Sequence, residues 1–544
     1  MPSISAPGES PTFDGPISDG PASDDPASGG PPPGGPASDK PVSDKQIRVL
    51  LVSILVVALC GIVYELIIGT VSSYLLGNSV YQFSITIGLF MFAMGVGSWL
   101  SKYFDDHFVR NFIVIEMAIA LIGGVCSITL FMVFPFAREI YELVMYSFIL
   151  GIGALVGMEI PILTALLAER ASTKDSIANV LSFDYVGALI GSVSFPLLLL
   201  PTLGLVQSSF AIGLINILIA TVNVVAFRHH LPSFHRMMGL CLSILIILTS
   251  CVFYGSYITR YAEKHLYFDR VVYTQQTPYQ KIVVTRSATT SEQRLYIDGH
   301  IQFSTRDEYR YHEYLVHPVM SVPGVRQNVL ILGGGDGLAV REVLKYDDVE
   351  LIHLVDIDPE MIRIGKELPI LKRLNQQSMS SDKLSVFAED AFSFINQPGI
   401  LYDRVIIDMP DPHNEAINKL YSREFYTMIK RRMSADGLVV SQSSSPFFTR
   451  QVFWCIKNTL ADIFEHTLPY YTSLPSFGLW GFNIARASSA ISRQFRFDVP
   501  TRAITDESMQ AAMIFDKDIS EVETPVNSLL EPKLYQLYIE DLRH

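Results

Sequence analysis

Between residues 47 and 257 the chain carries seven apolar segments, at about 47–70, 79–101, 112–134, 140–168, 178–203, 206–228 and 236–257. Crossing a hydrocarbon core as a helix takes about 20 mostly apolar residues, and each segment is long enough. Nothing else in the sequence restricts the fold so severely. In lipid every backbone polar group needs a partner within the protein, and a helix supplies one for each. The competing reading is a set of buried helices in a water-soluble protein, and seven consecutive segments of this length argue against it. A multi-pass α-helical membrane domain over 47–257 is expected, in the cell (inner) membrane with the lipid bilayer as its partner.

Loop charge gives an orientation. The N-terminal side and the second, fourth and sixth loops carry Lys40, Lys45, Arg48, Lys102, Arg110, Arg170, Lys174, Arg228 and Arg236. The other loops carry only Arg138, and Arg260, Lys264 and Arg270 follow the last segment. That distribution sets the N-terminus in the cytoplasm. Seven crossings would then leave the C-terminal half outside, and an eighth span or a re-entrant stretch within 140–168 would reverse this.

Acids interrupt the apolar segments. Glu65, Glu159 and Asp184 lie deep, with no Lys or Arg beside them in their segments apart from Arg48 at the far start of the first, whereas Glu116 and Glu142 lie near segment ends and are expected to reach the interface. A charge in lipid is costly, so the deep acids read either as protonated carboxyls between helices or as a cation path. Pro161, Pro196 and Pro201 are expected to break their helices locally.

Residues 1–46 are rich in Pro, Gly, Ser, Ala and Asp, with the near-repeat PASDD, PASGG, PASDK, PVSDK. Such a stretch buries too little apolar surface to offset its ordering entropy, so a disordered tail is expected. It lacks the basic start and apolar centre of a signal peptide. Net charge is −13, which argues against a nucleic-acid partner and suits cationic ligands. The five cysteines form no C-x-x-C pair, so no disulfide framework or zinc site is indicated.

Beyond residue 258 the composition turns soluble. Leu266–Tyr273, Lys281–Arg286 and Gln293–Ile297 read as short strands, the last entering an Asp298-Gly299 turn. Then comes Val329–Glu342, VLILGGGDGLAVRE: an apolar run, a glycine turn and a helix-compatible segment. Nineteen residues past Gly337, the run Leu351–Val355 ends in Asp356, placed to accept hydrogen bonds from ribose hydroxyls. Further strands are expected at Leu384–Phe387, Arg404–Ile407 and Gly437–Ser441. The alternating order implies a mostly parallel, doubly wound sheet behind a small β-rich subdomain.

Ligands bind at the carboxyl ends of such strands, where this chain sets Asp336, Asp356, Asp390, Asp408 and Asp411. Five carboxylates around one crevice repel one another unless a cation joins them. A metal could join them, but no His or Cys cluster accompanies the acids, and a diffuse organic cation fits as well. Asp336 sits inside the glycine turn itself. An acid there repels phosphate and attracts ammonium, which points away from NAD or ATP and towards a cationic nucleoside.

The motifs Tyr279-Gln280, IDGHIQFSTRDEYRYHE at Ile297–Glu313, GGGDG at Gly333–Gly337, Glu389-Asp390 and DMPDP at Asp408–Pro412 are together similar to the polyamine aminopropyltransferases, chiefly spermidine synthase. The likeness runs over about 260–490. YELIIGTVSSYLLGNS at Tyr64–Ser79 resembles the membrane region of that family's integral-membrane members. The resemblance implies a Rossmann-like, methyltransferase-type fold and aminopropyl transfer from decarboxylated S-adenosylmethionine to a putrescine-like diamine, giving spermidine or a related polyamine and methylthioadenosine. It implies no permanently bound cofactor and no metal, and a homo-oligomer is expected.

Position by position, the resemblance gives Asp356 the ribose hydroxyls and Asp390 the adenine amino group. Gln280 and Asp336 hold the donor's amine end, with Gln302, Gly333, Gly335 and Ala391 lining the same pocket. Asp408 is the proton acceptor, and Tyr311 and Asp411 position the attacking amine. Three departures stand out: Asp356 where the family commonly has Glu, Pro412-His413-Asn414-Glu415 where it has P-x-G-P, and Phe477 where a Tyr hydroxyl is usual. They bear on the acceptor and not on the reaction type. Two alternatives remain open: an S-adenosylmethionine-dependent methyltransferase on the same sheet, and a polyamine transporter or sensor. The expected domains are a tail over 1–46, the membrane domain over 47–257, a β subdomain over 258–310, the Rossmann-like transferase over 311–500, and an extension over 501–544.

Overall fold

The computed structural model describes residues 43–76, 79–103, 107–168, 173–231, 233–267 and 269–542. The expected disordered tail lies outside them as far as residue 42. The N-terminal region is helical: α1 (Asp44–Leu76), α2 (Ser79–Leu100), α3 (Phe108–Phe136), α4 (Tyr141–Ala168), α5 (Thr173–Ser194), α6 (Leu200–Ala226) and α7 (Phe234–Leu266). Among the described residues six helical stretches are long and apolar enough to cross a membrane, the fifth being the 53-residue run Lys174–Ala226.

That run doubles back. As one straight helix it would be about 80 Å long at 1.5 Å per residue, far beyond a bilayer core. Gly187 and Gly191 of α5 lie against Leu55 and Leu59 of α1, so these two helices are parallel. On α6, Asn223 donates to Ser53 at 2.8 Å and Ile212 accepts from Cys60, so α6 is antiparallel to α1. The reversal uses a π-turn at Phe195–Leu199 and Gly204, whose φ of 73° and ψ of −178° leave the helix. Pro196 lies in that π-turn and Pro201 in the first turn of α6. Pro161, contrary to expectation, does not interrupt α4.

Small residues bring the helices together, as in membrane bundles generally. A Cβ on Gly97 of α2 would lie 1.9 Å from the Ala154 carbonyl oxygen of α4. Glu116 departs from the reading that set it at the interface. It is fully buried in α3, against Glu159 of α4. Residue depth depends on which face of the helix packs inward, and segment bounds do not give that.

The C-terminal region begins with a four-stranded antiparallel meander: β1 (Arg270–Gln276), β2 (Lys281–Arg286), β3 (Gln293–Ile297) and β4 (His300–Ser304). The first strand starts at Arg270 and not at Leu266, because α7 continues to Leu266. Asp298 and Gly299 join β3 to β4 with φ of 48° and 84°, the positive pair that a two-residue hairpin turn requires.

Next come α8 (Glu308–Ser321), β5 (Asn328–Gly333), α9 (Leu338–Val343), β6 (Leu351–Asp356), α10 (Pro359–Glu367), α11 (Pro369–Leu374), β7 (Leu384–Ala388), α12 (Ala391–Asn396) and β8 (Tyr402–Asp408). They are followed by α13 (Glu415–Asn418), α14 (Arg423–Arg431), β9 (Met433–Gln442), α15 (Arg450–Ile463), β10 (His466–Leu474), β11 (Gly478–Arg486), α16 (Asp506–Ala512) and α17 (Leu534–Asp541). The seven strands β5–β11 form one sheet in the order β10-β11-β9-β8-β5-β6-β7. Strands β5 to β9 are parallel, and β10 and β11 close one side antiparallel.

Both sheet faces are covered. Val329, Ile331, Ile352 and Ile406 pack on one side and Leu330, Leu332, Val355 and Ile407 on the other. Double burial is why these strands read as unbroken apolar runs. The strand order reverses between β5 and β8, where the register pairs Gly333 with Asp408. That switch point opens a crevice at the strands' carboxyl ends.

Candidate active site

The crevice is a cavity of about 550 Å³. All eleven residues expected from the sequence line it: Asp408, Tyr311, Asp411, Gln280, Gln302, Gly333, Gly335, Asp336, Asp356, Asp390 and Ala391. The turn after β5 builds its floor. Gly333 and Gly334 have φ of 85° and 67°, a conformation that side chains with a Cβ rarely adopt. A Cβ on Gly334 would lie 2.8 Å from Asp408 Oδ2, so the carboxylate sits directly over the turn.

Asp356 is held from both sides. Its Oδ2 accepts from the Gly335 amide at 2.9 Å and its Oδ1 from the Asp358 amide at 2.9 Å. Burial nonetheless pushes its pKa up to about 6. Asp336 accepts from the Leu338 amide at 2.9 Å, and burial pushes it too up to about 6, against the pull of nearby His312. Gln280 is set by the second acid of the VDIDP stretch: Asp358 Oδ2 accepts from Gln280 Nε2 and Thr277 Oγ1, each at 2.9 Å. Asp358 is fully buried and also caps α10 through Glu360, so it fixes the wall and the helix together.

Asp408, at the end of β8, accepts a 2.7 Å hydrogen bond from the Tyr311 hydroxyl. Burial raises its pKa, while His312 and the Tyr311 bond lower it. Asp411 is more isolated: its Oδ1 is buried without a hydrogen-bond partner among the described residues. Burial pushes it up to about 7, opposed by Ser444 and Gln442. An orphaned buried carboxylate oxygen is costly unless a ligand donor meets it. Asp390 differs from the other four acids, because Lys419 Nζ sits 2.9 Å from its Oδ2. The protein therefore supplies a cation for one of the five.

Sequence reasoning missed His312, Asp358, Lys419 and Tyr538. His312 Nδ1 lies 2.7 Å from the Glu308 carbonyl oxygen and 3.1 Å from Glu308 Oε2, and Arg341 holds the same carboxylate at 2.9 and 3.0 Å. Burial works against charge on His312, but Glu308 raises its pKa overall. The same imidazole and the Asp336 and Asp408 carboxylates favour each other's charged forms. The histidine stood in the quoted YRYHE motif, so its position was readable and its partner was not. His413, in the departing loop, stacks on His300 with centroids 4.5 Å apart, and burial pushes its pKa down to about 4. Among the described residues no group of three His, Cys, Asp or Glu side chains is arranged to hold a metal.

This geometry can hold two cations side by side, one over the glycine turn and one between Asp408 and Asp411. It can also take a proton from the second. Comparison with known proteins agrees with that chemistry. The family profile described as Spermine/spermidine synthase domain matches residues 308–520. A polyamine aminopropyltransferase of Leptospira interrogans is 41% identical over 483 residues, covering 88% of this chain and 95% of its own. One from Oceanobacillus iheyensis is 39% identical over 489 residues, covering 88% and 95%. A crystal structure of spermidine synthase with the transition-state analogue AdoDATO aligns with a TM-score of 0.42 and 23% identity, over 45% of this chain and 85% of that one. With two relatives 41% and 39% identical and each matched over 95% of its length, the chain belongs to the polyamine aminopropyltransferase family.

Proposed function

We propose that the protein transfers an aminopropyl group from decarboxylated S-adenosylmethionine to a putrescine-like diamine, releasing methylthioadenosine and giving spermidine or a related polyamine. The observation that carries this is Asp408, hydrogen-bonded by Tyr311 at a cavity floor that Asp336, Asp356 and Asp411 also line. An alkylammonium has no lone pair, so it must lose a proton before attacking the carbon beside the sulfonium. Asp408 accepts that proton, the new C–N bond forms, and the C–S bond breaks to leave a neutral thioether. Asp356 receives the ribose hydroxyls and Asp390 the adenine amino group, with Gly333, Gly335 and Ala391 against the nucleoside. Gln280, Gln302 and Asp336 hold the donor's ammonium end, and Asp411 and Tyr311 aim the acceptor. Positioning and preorganised charge supply most of the rate.

The test is a panel of amines incubated with decarboxylated S-adenosylmethionine and the full chain. Methylthioadenosine release with at least one diamine is expected; no release with any amine would sink the reading. A methylated product from S-adenosylmethionine would establish the methyltransferase alternative instead.

The helical region is part of the proposal: it sits in a bilayer and carries the transferase on the side opposite the start of α1. Its outward faces are apolar, with Met91 and Phe92 of α2, Leu189 of α5 and Ile246 and Phe253 of α7 all exposed. Contacts with the C-terminal region lie at the far ends of α1, α3 and α7. Tyr74 and Tyr267 hydroxyls are 3.2 Å apart, and Lys281 lies over the Tyr74 and Phe131 rings.

A further inference from the structure

The family profile ends at residue 520, yet the cavity has a wall from beyond it. The segment after residue 520 is built into the catalytic core. Asn527 donates to the carbonyls of Asn418 at 3.2 Å and Tyr421 at 3.1 Å, and its Oδ1 accepts from the Lys533 and Leu534 amides that begin α17. Asn418 and Tyr421 belong to the stretch that follows Asp411, so the segment is tied to the chain that carries this acid. At the other end of α17, Asp541 Oδ2 accepts from the Gln451 and Val452 amides at 2.8 and 3.3 Å, capping α15. Between these anchors Leu534, Leu537 and Tyr538 join the core on one face of the sheet.

Tyr538 also lines the cavity. Burial raises its pKa first, and the Asp411 carboxylate raises it further, so the phenol lies in the field of that acid. Asp411 is the residue whose buried Oδ1 has no hydrogen-bond partner among the described residues. A phenol can accept from an ammonium while donating to a carboxylate. An alkylammonium beside Asp411 would therefore meet an anion and a neutral acceptor together.

Resting on the proposed function, we infer that α17 completes the acceptor end of the active site and that Tyr538 binds the amine substrate together with Asp411. It is an amine-recognition residue, and the donor nucleoside is held elsewhere, by the β5 turn and the ends of β6 and β7.

The test replaces one oxygen atom. In the full chain saturated with methylthioadenosine, putrescine affinity is measured by calorimetry for the wild type and for Tyr538→Phe. A weakening of about 10- to 100-fold is expected, the range for losing a hydrogen bond to a charged group. The affinity for methylthioadenosine alone should stay within about twofold, which a general loss of fold would not allow. In turnover, the KM for the amine should rise while the KM for the donor holds. Unchanged putrescine affinity, or equal losses for amine and nucleoside, would overturn the inference. Because the binding arm needs no turnover, wild type that binds putrescine and methylthioadenosine but releases no methylthioadenosine from decarboxylated S-adenosylmethionine would refute the transferase reading and still test Tyr538.

Discussion

In the proposed reaction Asp408 takes the proton, and replacing its charge separates chemistry from binding. Asp408→Asn keeps the size of the side chain and its contact with Tyr311 but removes the base. Turnover should fall by about 10²–10⁴-fold, the usual contribution of a positioned general base, with methylthioadenosine affinity within about threefold of wild type. Full activity in a single-turnover assay would exclude it as the base. The other acids predict how the site responds to pH. In the empty protein Asp336 and Asp356 are held at about 6 and Asp411 at about 7, all above the unfolded value. Folding therefore favours their protonated forms. These three groups make the empty protein more stable as pH falls from about 7 towards 4 and less stable as it rises again. Amine affinity should run the other way, because an ammonium selects the ionised carboxylates. It should increase by about tenfold or more between pH 5.5 and 7.5, and calorimetry at the two pH values would check this.

At the scale of elements, the turn after β5 is braced from behind by α10. A Cβ on Gly365 would lie 2.3 Å from the Gly335 carbonyl oxygen, so helix and turn touch backbone to backbone. Gly365→Ala should cost about 1–3 kcal/mol of stability, as overpacking does, and weaken methylthioadenosine more than the amine. Denaturant unfolding and ligand titration would measure both; equal effects on the two ligands would refute the brace. The elements also explain what could be read beforehand. Strands β5, β6 and β8 were visible because burial on both faces makes them continuous apolar runs. Strands β10 and β11 were not anticipated. Pro469 inside β10 argues against a strand, and it is tolerated because β10 lies at the sheet edge, where a missing N–H costs little. Asp356 and Asp408 were legible because each follows an apolar run directly, and Asp336 because it stands in the glycine turn that follows one. Tyr538 was not, because nothing local links a C-terminal helix to a crevice more than a hundred residues earlier in the chain.

On the scale of the whole molecule, the α5–α6 reversal sets the sidedness of the proposed membrane arrangement. With that turn the chain passes through the bundle an odd number of times, so the start of α1 and the cavity lie at opposite ends of it. A cysteine introduced at Ser43 and another at Ser291, both exposed, should label from opposite sides of a sealed membrane with an impermeant maleimide. Lysine and arginine counts predict that the Ser43 position is the protected one in intact cells. Labelling of both from the same side would refute the topology. The fold also sets an order of assembly. Domains form from the N-terminus during synthesis, so the bundle precedes the sheet and α17 comes after both. A nascent chain that stops short of Leu534 already has every strand of the sheet and the whole nucleoside floor, but the amine end of its cavity is open. Such a chain could hold its donor before it could hold its acceptor.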